Sequence, residues 1–245
     1  MAKVSAKDAI ILMGGYNFST YAMNYEAPDE VDAVDVTGFT DGSHNFIPGQ
    51  KLAKLTCNML WDSAAAKTVA VLKALPWTSN ANITIIPEGY VLGNASISMP
   101  FLQANFGPAG DPASAISAGS IAFLSRGDNA GVEHGYALAH GTITSTTTGT
   151  GFDDISGGAV TAACAGTLHI WTACATDTYV VKIQHSTALG SGYADLVTFT
   201  KDGSAIGSER VTVASGTVNR YRRVLATRTG SAGDSFGFSV HFWHA

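Results

Sequence analysis

Residues 31–61 read VDAVDVTGFTDGSHNFIPGQKLAKLTCNMLW. Apolar and polar residues alternate across 31–37 and again across 51–61, the pattern of strands with one face in the core and one in water. Two turn signals, Thr40-Asp41-Gly42-Ser43 and Ile47-Pro48-Gly49-Gln50, separate the alternating runs. The stretch therefore predicts two strands joined by turns, the second running outward from the Pro-Gly turn.

The segment after this stretch has the chain's one helical pattern. Asp62 or Ser63 can cap a helix over 62–75, and Pro76 ends it. A helix this short is expected to cover the edge of a sheet or barrel, because exposed edges invite uncontrolled pairing. Its predicted buried face consists of Val69, Leu72 and Leu75.

Strand patterns fill most of the remaining chain. Residues 144–151, TSTTTGTG, have no apolar residue and are interpreted as a linker. The sequence thus predicts an all-β protein with a sandwich or barrel domain at 1–143, a linker at 144–151 and a jelly-roll or immunoglobulin-like sandwich at 152–245. The predicted strands lie at 8–16, 82–86, 91–106, 120–125, 131–143, 166–173, 178–185, 194–200, 208–213, 218–226 and 235–243.

The composition indicates a surface that meets other protein. Charged residues make up 13% of the chain, about half the usual share. Residues 1–142 contain 7 Lys and Arg against 12 Asp and Glu, whereas 143–245 contain 7 of each. This balance argues against a basic nucleic-acid groove, and it is compatible with a surface that lets DNA pass.

Three cysteines, Cys57, Cys164 and Cys174, are too few and too sparse for a disulfide framework. A Cys164–Cys174 bond across neighbouring strands is the alternative. The sequence has neither a signal-peptide pattern nor an apolar run of about 18 residues, so we expect a protein that is made in a cytosol and has no membrane contact.

The motifs of common enzymes, GxSxG, HExxH, GxGxxG and the P-loop, are absent from the sequence. We therefore expect no enzyme activity and no cofactor. His241 and His244 should point to opposite faces of a terminal strand, and we interpret them as part of a polar tail. His169 and His185, on separate predicted strands, are interpreted as a surface pair.

Two charged groups leave alternatives open. Asp153-Asp154 and the acidic cluster at 29–35 suit either Ca²⁺ or a solvated acidic face, and the second interpretation is favoured because the spacing fits no known loop. Arg220, Arg222 and Arg223 surround Tyr221, which suits either nucleic acid or interface salt bridges. We favour salt bridges.

The order of motifs from Val34 to Asp62 resembles the major tail proteins, or tail-tube proteins, of long-tailed bacteriophages. That family has a strand ending in Thr, a Gly/Asp turn, an (F/Y)-(I/V)-P-G turn, an alternating strand and an aromatic-Asp step into a helix. The second half, over 160–243, resembles the external β-sandwich domain of many phage tail proteins. The matching residues are Thr37, Asp41-Gly42, Phe46-Ile47-Pro48-Gly49, Leu52–Leu60 and Trp61-Asp62.

This resemblance implies a virion protein that assembles in the host cytoplasm and polymerises as stacked rings, usually six-fold. Its partners would be further copies of itself and other tail proteins such as the tape measure, tail terminator and distal tail proteins, with phage DNA only in passage. The resemblance places the contact between rings in residues 38–50, with Asp41, Phe46, Ile47, Pro48 and Gly49 as candidates. Candidates for an acidic channel wall are Asp29, Glu30, Asp32, Asp35, Glu88 and Glu133.

Two other functions suit the same composition. A head-decoration or other tail-associated protein would form trimers or monomers instead of rings. A carbohydrate-binding β-sandwich would use Trp171, Trp243 or Tyr193 as a stacking platform.

Overall fold

The structure is a computed structural model. It describes residues 6–27, 29–37, 42–75, 81–104, 106–107, 117–125, 131–154 and 158–245, without the side chains of 6, 29–34, 48–52, 117–120 and 125.

The described chain is mostly β, with a curled antiparallel sheet and one α-helix, which confirms the predicted fold class. A 3₁₀ turn at Ala6–Asp8 precedes the first strand, and α1 spans Thr68–Ala74. The strands are β1 (Ile10–Met13), β2 (Tyr16–Asn17), β3 (Ala22–Glu26), β4 (Asp29–Asp35), β5 (Phe46–Leu60), β6 (Ala81–Ile86), β7 (Ala95–Gln103), β8 (Ser117–Ser125), β9 (Glu133–Ile143), β10 (Thr147–Thr148), β11 (Phe152–Asp153), β12 (Val160–Thr172), β13 (Thr178–Ser186), β14 (Ala194–Thr198), β15 (Gly207–Val218), β16 (Tyr221–Thr229) and β17 (Phe236–His244).

The chain forms two compact units. Unit 1 comprises Met1–Thr20, Asn80–Pro100 and Glu133–Ala245, and unit 2 comprises Tyr21–Ser79 and Phe101–Val132. In unit 1 the larger sheet runs in the order β15-β12-β17-β9-β7-β6-β1-β2. The smaller sheet of unit 1 runs β10-β16-β13-β14, with β11 also paired to β16.

The two sheets of unit 1 enclose an apolar core. Leu168 and Ile170 of β12 and Phe242 of β17 face Val181 and Ile183 of β13 in one buried cluster. Alternate residues of each strand supply this core, as expected where one face of a strand is buried against a second sheet. Strands of the second half therefore face one another across a core that also contains Leu138 of β9. A separate jelly-roll or immunoglobulin-like sandwich in the second half remains a prediction.

The larger sheet of unit 1 curls until its two ends touch. Gly15, between β1 and β2, lies so close to Gly207 of β15 that a Cβ on Gly15 would be 2.4 Å from the Gly207 backbone nitrogen. Next to this contact, the Asn82 N–H donates to the Ser208 hydroxyl over 3.0 Å. Gly15 has a φ of +93°, so this position needs glycine both for its conformation and for its space.

Unit 2 is built around the long strand β5. β3 and β4 pair with different parts of β5, and β8 also pairs with it. The rings of Phe101 and Phe123 meet edge to face at 4.8 Å in its core. Gln103 donates from Nε2 to the Leu72 carbonyl over 2.9 Å, which fixes α1 to the chain after Pro100.

The helix is shorter than predicted because Asp62 does not cap it. The Asp62 carboxylate accepts a hydrogen bond from the Ala64 N–H at 2.9 Å, which forms a local turn. Ala66 has a φ of +60°, which an α-helix excludes, so α1 begins only at Thr68. Its buried residues are Thr68, Val71 and Leu72 rather than the predicted Val69, Leu72 and Leu75.

The predicted Pro-Gly turn is also wrong. Pro48 and Gly49 lie within β5, where Pro48 is paired with Ala33 of β4. The register between β4 and β5 shifts between Val31 and Ala33, and proline is tolerated in sheets at such irregularities. The earlier turn, 40–43, lies partly outside the described residues.

The compact units do not follow the sequence-predicted domain division. β9, at the end of the predicted first domain, pairs along its length with β17 of the predicted second domain. Within the predicted linker, β10 pairs with β16. Whether 1–143 and 152–245 fold as separate domains remains a prediction.

Candidate functional site

The candidate assembly site is the end of the β4–β5 hairpin in unit 2. The strands are antiparallel, with Val34 opposite Ile47 and Asp35 opposite Phe46. Beyond the last pair, the Val36 N–H donates to the Asn45 carbonyl over 2.9 Å. The hairpin backbone therefore stays paired up to residues 36 and 45.

A polar network holds this end in one conformation. The Asp35 carboxylate accepts hydrogen bonds from the Thr37 hydroxyl and, at 2.9 Å, from the Thr37 N–H. Its other oxygen is 3.0 Å from Nδ1 of His44, and the Asn45 N–H donates to the Thr37 hydroxyl. The Thr37 hydroxyl, the Thr37 N–H and His44 together lower the pKa of Asp35, so the carboxylate stays charged.

Three large apolar side chains are exposed at the same end. Phe46 is 59% exposed, Ile47 50% and Val36 48%. The His44 ring stacks on Phe46 with 6.0 Å between centroids. Phe46 and Ile47 are successive residues of β5, so their side chains point to opposite faces of the hairpin. Large apolar side chains left in water at one end of a hairpin mark a candidate interaction surface. We call Val36, Phe46 and Ile47 the hairpin patch.

The candidates for contact between rings divide into three groups. Phe46 and Ile47 are exposed in the hairpin patch. Pro48 and Gly49 lie in β5, and their side-chain surroundings are outside the described residues, as is Asp41 altogether. Their role in contact between rings remains a prediction.

The acidic candidates for a channel wall differ in their exposure. The side chains of Asp29, Glu30 and Asp32 on β4 are outside the described residues, while Asp35 and Glu88 are exposed. Glu133 is 3% exposed, and its carboxylate accepts two bonds from Arg210, at 2.5 and 3.1 Å. This buried ion pair gives Glu133 a structural role and does not support the expectation that it faces a channel.

The arginines near Tyr221 and the adjacent aspartates satisfy one another within unit 1. Arg220 forms two bonds to Asp153, at 2.7 and 2.8 Å. Arg222 is buried and donates to Asp154, which also accepts from Nε2 of His244 at 2.6 Å. Arg220 and Arg222 therefore form ion pairs within the chain, and salt bridges across an interface remain a prediction. Asp154 is buried, which the interpretation as a solvated acidic face did not anticipate, whereas Asp153 is 36% exposed.

Unit 1 contains a buried polar seam that the sequence did not reveal. His169 of β12 lies 2.9 Å from the Thr84 hydroxyl, which is 3.0 Å from the Ser98 hydroxyl. His241 of β17 contacts the Ser96 hydroxyl through Nδ1. The seam comprises Thr84, Ser96, Ser98, Thr167, His169 and His241, all buried.

The seam corrects two interpretations of histidines. His241 is not in a polar tail, because β17 lies between β12 and β9 in the sheet. His169 is buried in the larger sheet while His185 is on β13 of the smaller one, so they are not a surface pair. No group of three or more potential metal ligands occurs among the described residues.

The aromatic residues of the carbohydrate alternative do not line up. Trp171 is on β12, with its ring 4.6 Å from that of His140. Tyr193 follows β13 of the other sheet, with the Arg223 guanidinium 3.9 Å above its ring. Trp243 is on β17, where it is paired with Ala165 of β12. The three therefore form no single stacking platform.

Comparisons with known proteins give structural likeness only. No protein-family model and no curated protein matches the sequence. None of the helices in the described part of the chain is long and apolar enough to cross a membrane.

The similar solved structures are particle, tube and hub proteins. One is from the virion of a native gene transfer agent particle, with a TM-score of 0.41 and 16% identity over 51% of this chain and 95% of that chain. Another is the cap that terminates the tube of the anti-feeding prophage, with a TM-score of 0.41 and 15% identity over 56% and 93%. The SPP1 Dit protein, described as a hub of the phage adsorption apparatus, has a TM-score of 0.38 and 10% identity over 96% and 99%. At these scores the likeness does not by itself assign a function.

Proposed function

We propose that this protein is a structural component of a bacteriophage tail whose copies polymerise as stacked rings, which we expect to be hexameric, into the tail tube. The tube would form the channel for DNA ejection. The observation that carries the proposal is the hairpin patch, three exposed apolar side chains at the paired end of a hairpin, in the segment whose motifs resemble tail-tube proteins. Isolated in water, such a patch is a liability; between copies, it is buried.

Unpaired strand edges support assembly. In the described sheets of unit 1, β14 pairs only with β13, whereas the start of β15 is covered by Gly15 and Asn82. A free edge exposes backbone N–H and C=O groups that favour pairing with another chain, and closure into a ring removes such edges. Neighbouring copies in a ring are the natural partners for these groups.

The charge distribution suits a channel for DNA. Residues 26–50 contain six acidic residues and no lysine or arginine. Like-charge repulsion would keep DNA from binding during passage. We propose that Asp29, Glu30, Asp32, Asp35 and Glu88 contribute to the channel wall, and that tail proteins such as the tape measure, terminator and distal tail proteins meet the ends of the tube. The site of action would be the virion tail, after assembly in the host cytoplasm.

The purified protein tests this proposal by negative-stain electron microscopy together with light scattering over a range of salt concentrations. Tubes or stacked rings with a central hole are the expected result. Trimers would instead favour a head-decoration protein. A stable monomer at high concentration under every salt condition would contradict assembly altogether.

A further inference from the structure

The smaller sheet of unit 1 has one arginine, Arg223 of β16, without a carboxylate partner in the described part of the chain. The other described arginines each form an ion pair with an aspartate or glutamate; they are Arg210, Arg220, Arg222 and Arg228. Arg223 instead donates from Nε to the Gln184 side-chain oxygen over 3.0 Å. Of the three arginines around Tyr221, it is therefore the one whose charge is open to a partner.

The side chain of Arg223 lies on the outer face of the smaller sheet. Arg223 is paired with Gln184 of β13, which is in turn paired with Asp195 of β14. The next residue of β16, Val224, and the preceding residue of β13, Ile183, point into the core of unit 1. Because side chains alternate along a strand, Arg223 and Gln184 point away from that core.

Contacts along this row fix the guanidinium group of Arg223. Lys182 donates to the Asp195 carboxylate over 2.6 Å, and Nε2 of Gln184 donates to the same carboxylate over 2.8 Å. These bonds turn the amide oxygen of Gln184 towards Arg223. The Tyr193 ring lies 3.9 Å from the guanidinium carbon, at cation–π distance. The edge that carries Nη1 and Nη2 makes no bond within the residues that the structure describes.

This edge of the guanidinium suits a carboxylate. Nη1 and Nη2 can donate two parallel hydrogen bonds to the two oxygens of a carboxylate, a geometry that an ammonium group cannot supply. Because Tyr193 and Gln184 already hold the guanidinium, little side-chain freedom is lost when a ligand binds. The site is therefore prepared for a planar anionic group.

An exposed apolar side chain lies at the other end of Tyr193. The Tyr193 hydroxyl donates to the carbonyl of Leu189 over 2.8 Å, and the Leu189 side chain is 54% exposed. A bridge between Ala188 and Ser191 closes the same loop. Arginine and tyrosine are enriched at the centres of protein interfaces. A polysaccharide can supply a carboxylate but no apolar side chain, so this combination favours a polypeptide ligand.

We propose that Arg223 and Leu189 form a docking surface for a segment of another protein, which presents a carboxylate to Arg223 and an apolar side chain to Leu189. These two residues are neither in the hairpin patch nor in β14, so the inference goes beyond the assembly contacts proposed above. The chain has a net charge of −5, which repels acidic ligands in general. Binding of an acidic segment therefore reports a local site.

A short peptide of alternating glutamate and leucine, blocked at both ends, is the probe, and isothermal titration calorimetry of the full chain measures its binding. Arg223→Lys keeps the charge but loses the paired N–H groups, so it should weaken binding about tenfold. Arg220→Lys is the matched control, since Arg220 is already held by two bonds to Asp153, and it should bind the peptide like the unmodified protein. A peptide of alternating lysine and leucine should not bind at this surface.

A second pair of variants tests the apolar part of the surface and leaves Arg223 in place. Leu189→Ser should weaken binding of the glutamate peptide, whereas Val91→Ser, at a residue 62% exposed on the loop between β6 and β7, should not. The thermal unfolding midpoint of every variant is measured alongside, so that loss of binding is distinguished from loss of the fold.

Three results would overturn the proposal. The first is no binding of the glutamate peptide by the unmodified protein. The second is equal weakening by Arg223→Lys and Arg220→Lys, which would show that only general charge matters. The third is tighter binding of dextran sulfate or inorganic phosphate than of the peptide, with dependence on Arg223, which would assign the site to an anion that is not a polypeptide.

Discussion

At the scale of single residues, His169 and His241 connect stability to pH. Burial lowers the pKa of each to about 3, and the nearby His169, His134 and Arg210 add to the effect at His241. Both histidines therefore stay neutral in the folded protein and become protonated on unfolding near their ordinary pKa of about 6.5. Their contribution is complete above about pH 6.5 and is lost as the pH falls towards 3.

Acid should therefore destabilise the protein before most carboxylates titrate. Between pH 6 and 5 we expect each histidine to lower the free energy of unfolding by up to about 1.4 kcal/mol per pH unit. His241→Asn keeps a hydrogen-bonding group near Ser96 but does not titrate. Its free energy of unfolding should therefore fall less between pH 6 and 5 than that of the unmodified protein. Urea unfolding at several pH values measures both proteins, and identical slopes would contradict the argument.

Burial should also give two neighbouring arginines different contributions to stability. The Arg222–Asp154 pair is buried, whereas the side chains of Arg220 and Asp153 are 42% and 36% exposed. Arg222→Met leaves Asp154 buried without its main counter-charge and should cost about 3–5 kcal/mol. Arg220→Met should cost about 1 kcal/mol or less. Chemical denaturation of the two variants compares them, and equal costs would show that burial is not decisive here.

At the scale of elements, alternation predicts strands well in this chain, and turn residues predict their ends poorly. The predicted strand at 178–185 corresponds to β13 at Thr178–Ser186. Pro48-Gly49 and Asp62 have the composition of a turn and a helix cap, yet tertiary pairing and a local Asp62 turn determine their structure. Local propensity is weaker than these contacts.

Thr68 connects the end of β5 to α1. Its hydroxyl donates to the Leu60 carbonyl over 2.8 Å and accepts from the Asp62 N–H over 3.0 Å. Thr68→Val keeps the shape and removes both bonds in a buried site, so it should cost about 1–3 kcal/mol. Thr198→Val, on the exposed face of β14, is the matched control and should change little. Thermal unfolding measures the stability of both variants. An unchanged midpoint for Thr68→Val would argue against a stabilising link between β5 and α1.

The contact of Gly15 with Gly207 closes the curled sheet. Gly15→Ala meets both a positive φ and the Gly207 backbone, so it should cost more than the roughly 1–2 kcal/mol of the backbone conformation alone. Gly190→Ala, with open space around it and no positive φ, should be neutral. Urea denaturation distinguishes them, and a neutral Gly15→Ala would mean that the sheet ends can separate at no cost.

At the scale of the whole molecule, the structure predicts that the second half of the chain does not fold alone. Residues 152–245 lack β9, which pairs with β17, and Leu138, which lies in the sandwich core. We expect this fragment to be unfolded or aggregated, while the full chain is folded. Proton NMR spectra of the fragment and of the full chain show whether each is folded. A well-folded fragment would support the domain division predicted from the sequence.

The candidate site was only partly predictable. The motif order drew attention to 38–50 because Phe46 and Ile47 lie in it, but nothing local shows that they remain exposed. The buried seam had no signal, because His169 and His241 stand in alternating strands where either face can be the inner one. A cavity in unit 1 that is lined by Tyr90, His140 and Phe238 depends on residues from β9, β17 and the loop at Tyr90, which only long-range pairing brings together.

The position of β17 has a consequence for synthesis in the cell. β17 lies between β9 and β12, although the ribosome makes it after both of them. The larger sheet of unit 1 therefore stays open at its middle until residues 236–244 have left the ribosome exit tunnel. Sheets that depend on such distant pairing form slowly. A nascent chain therefore cannot bury Phe238, Val240 and Phe242 in the core of unit 1 until β17 has been made.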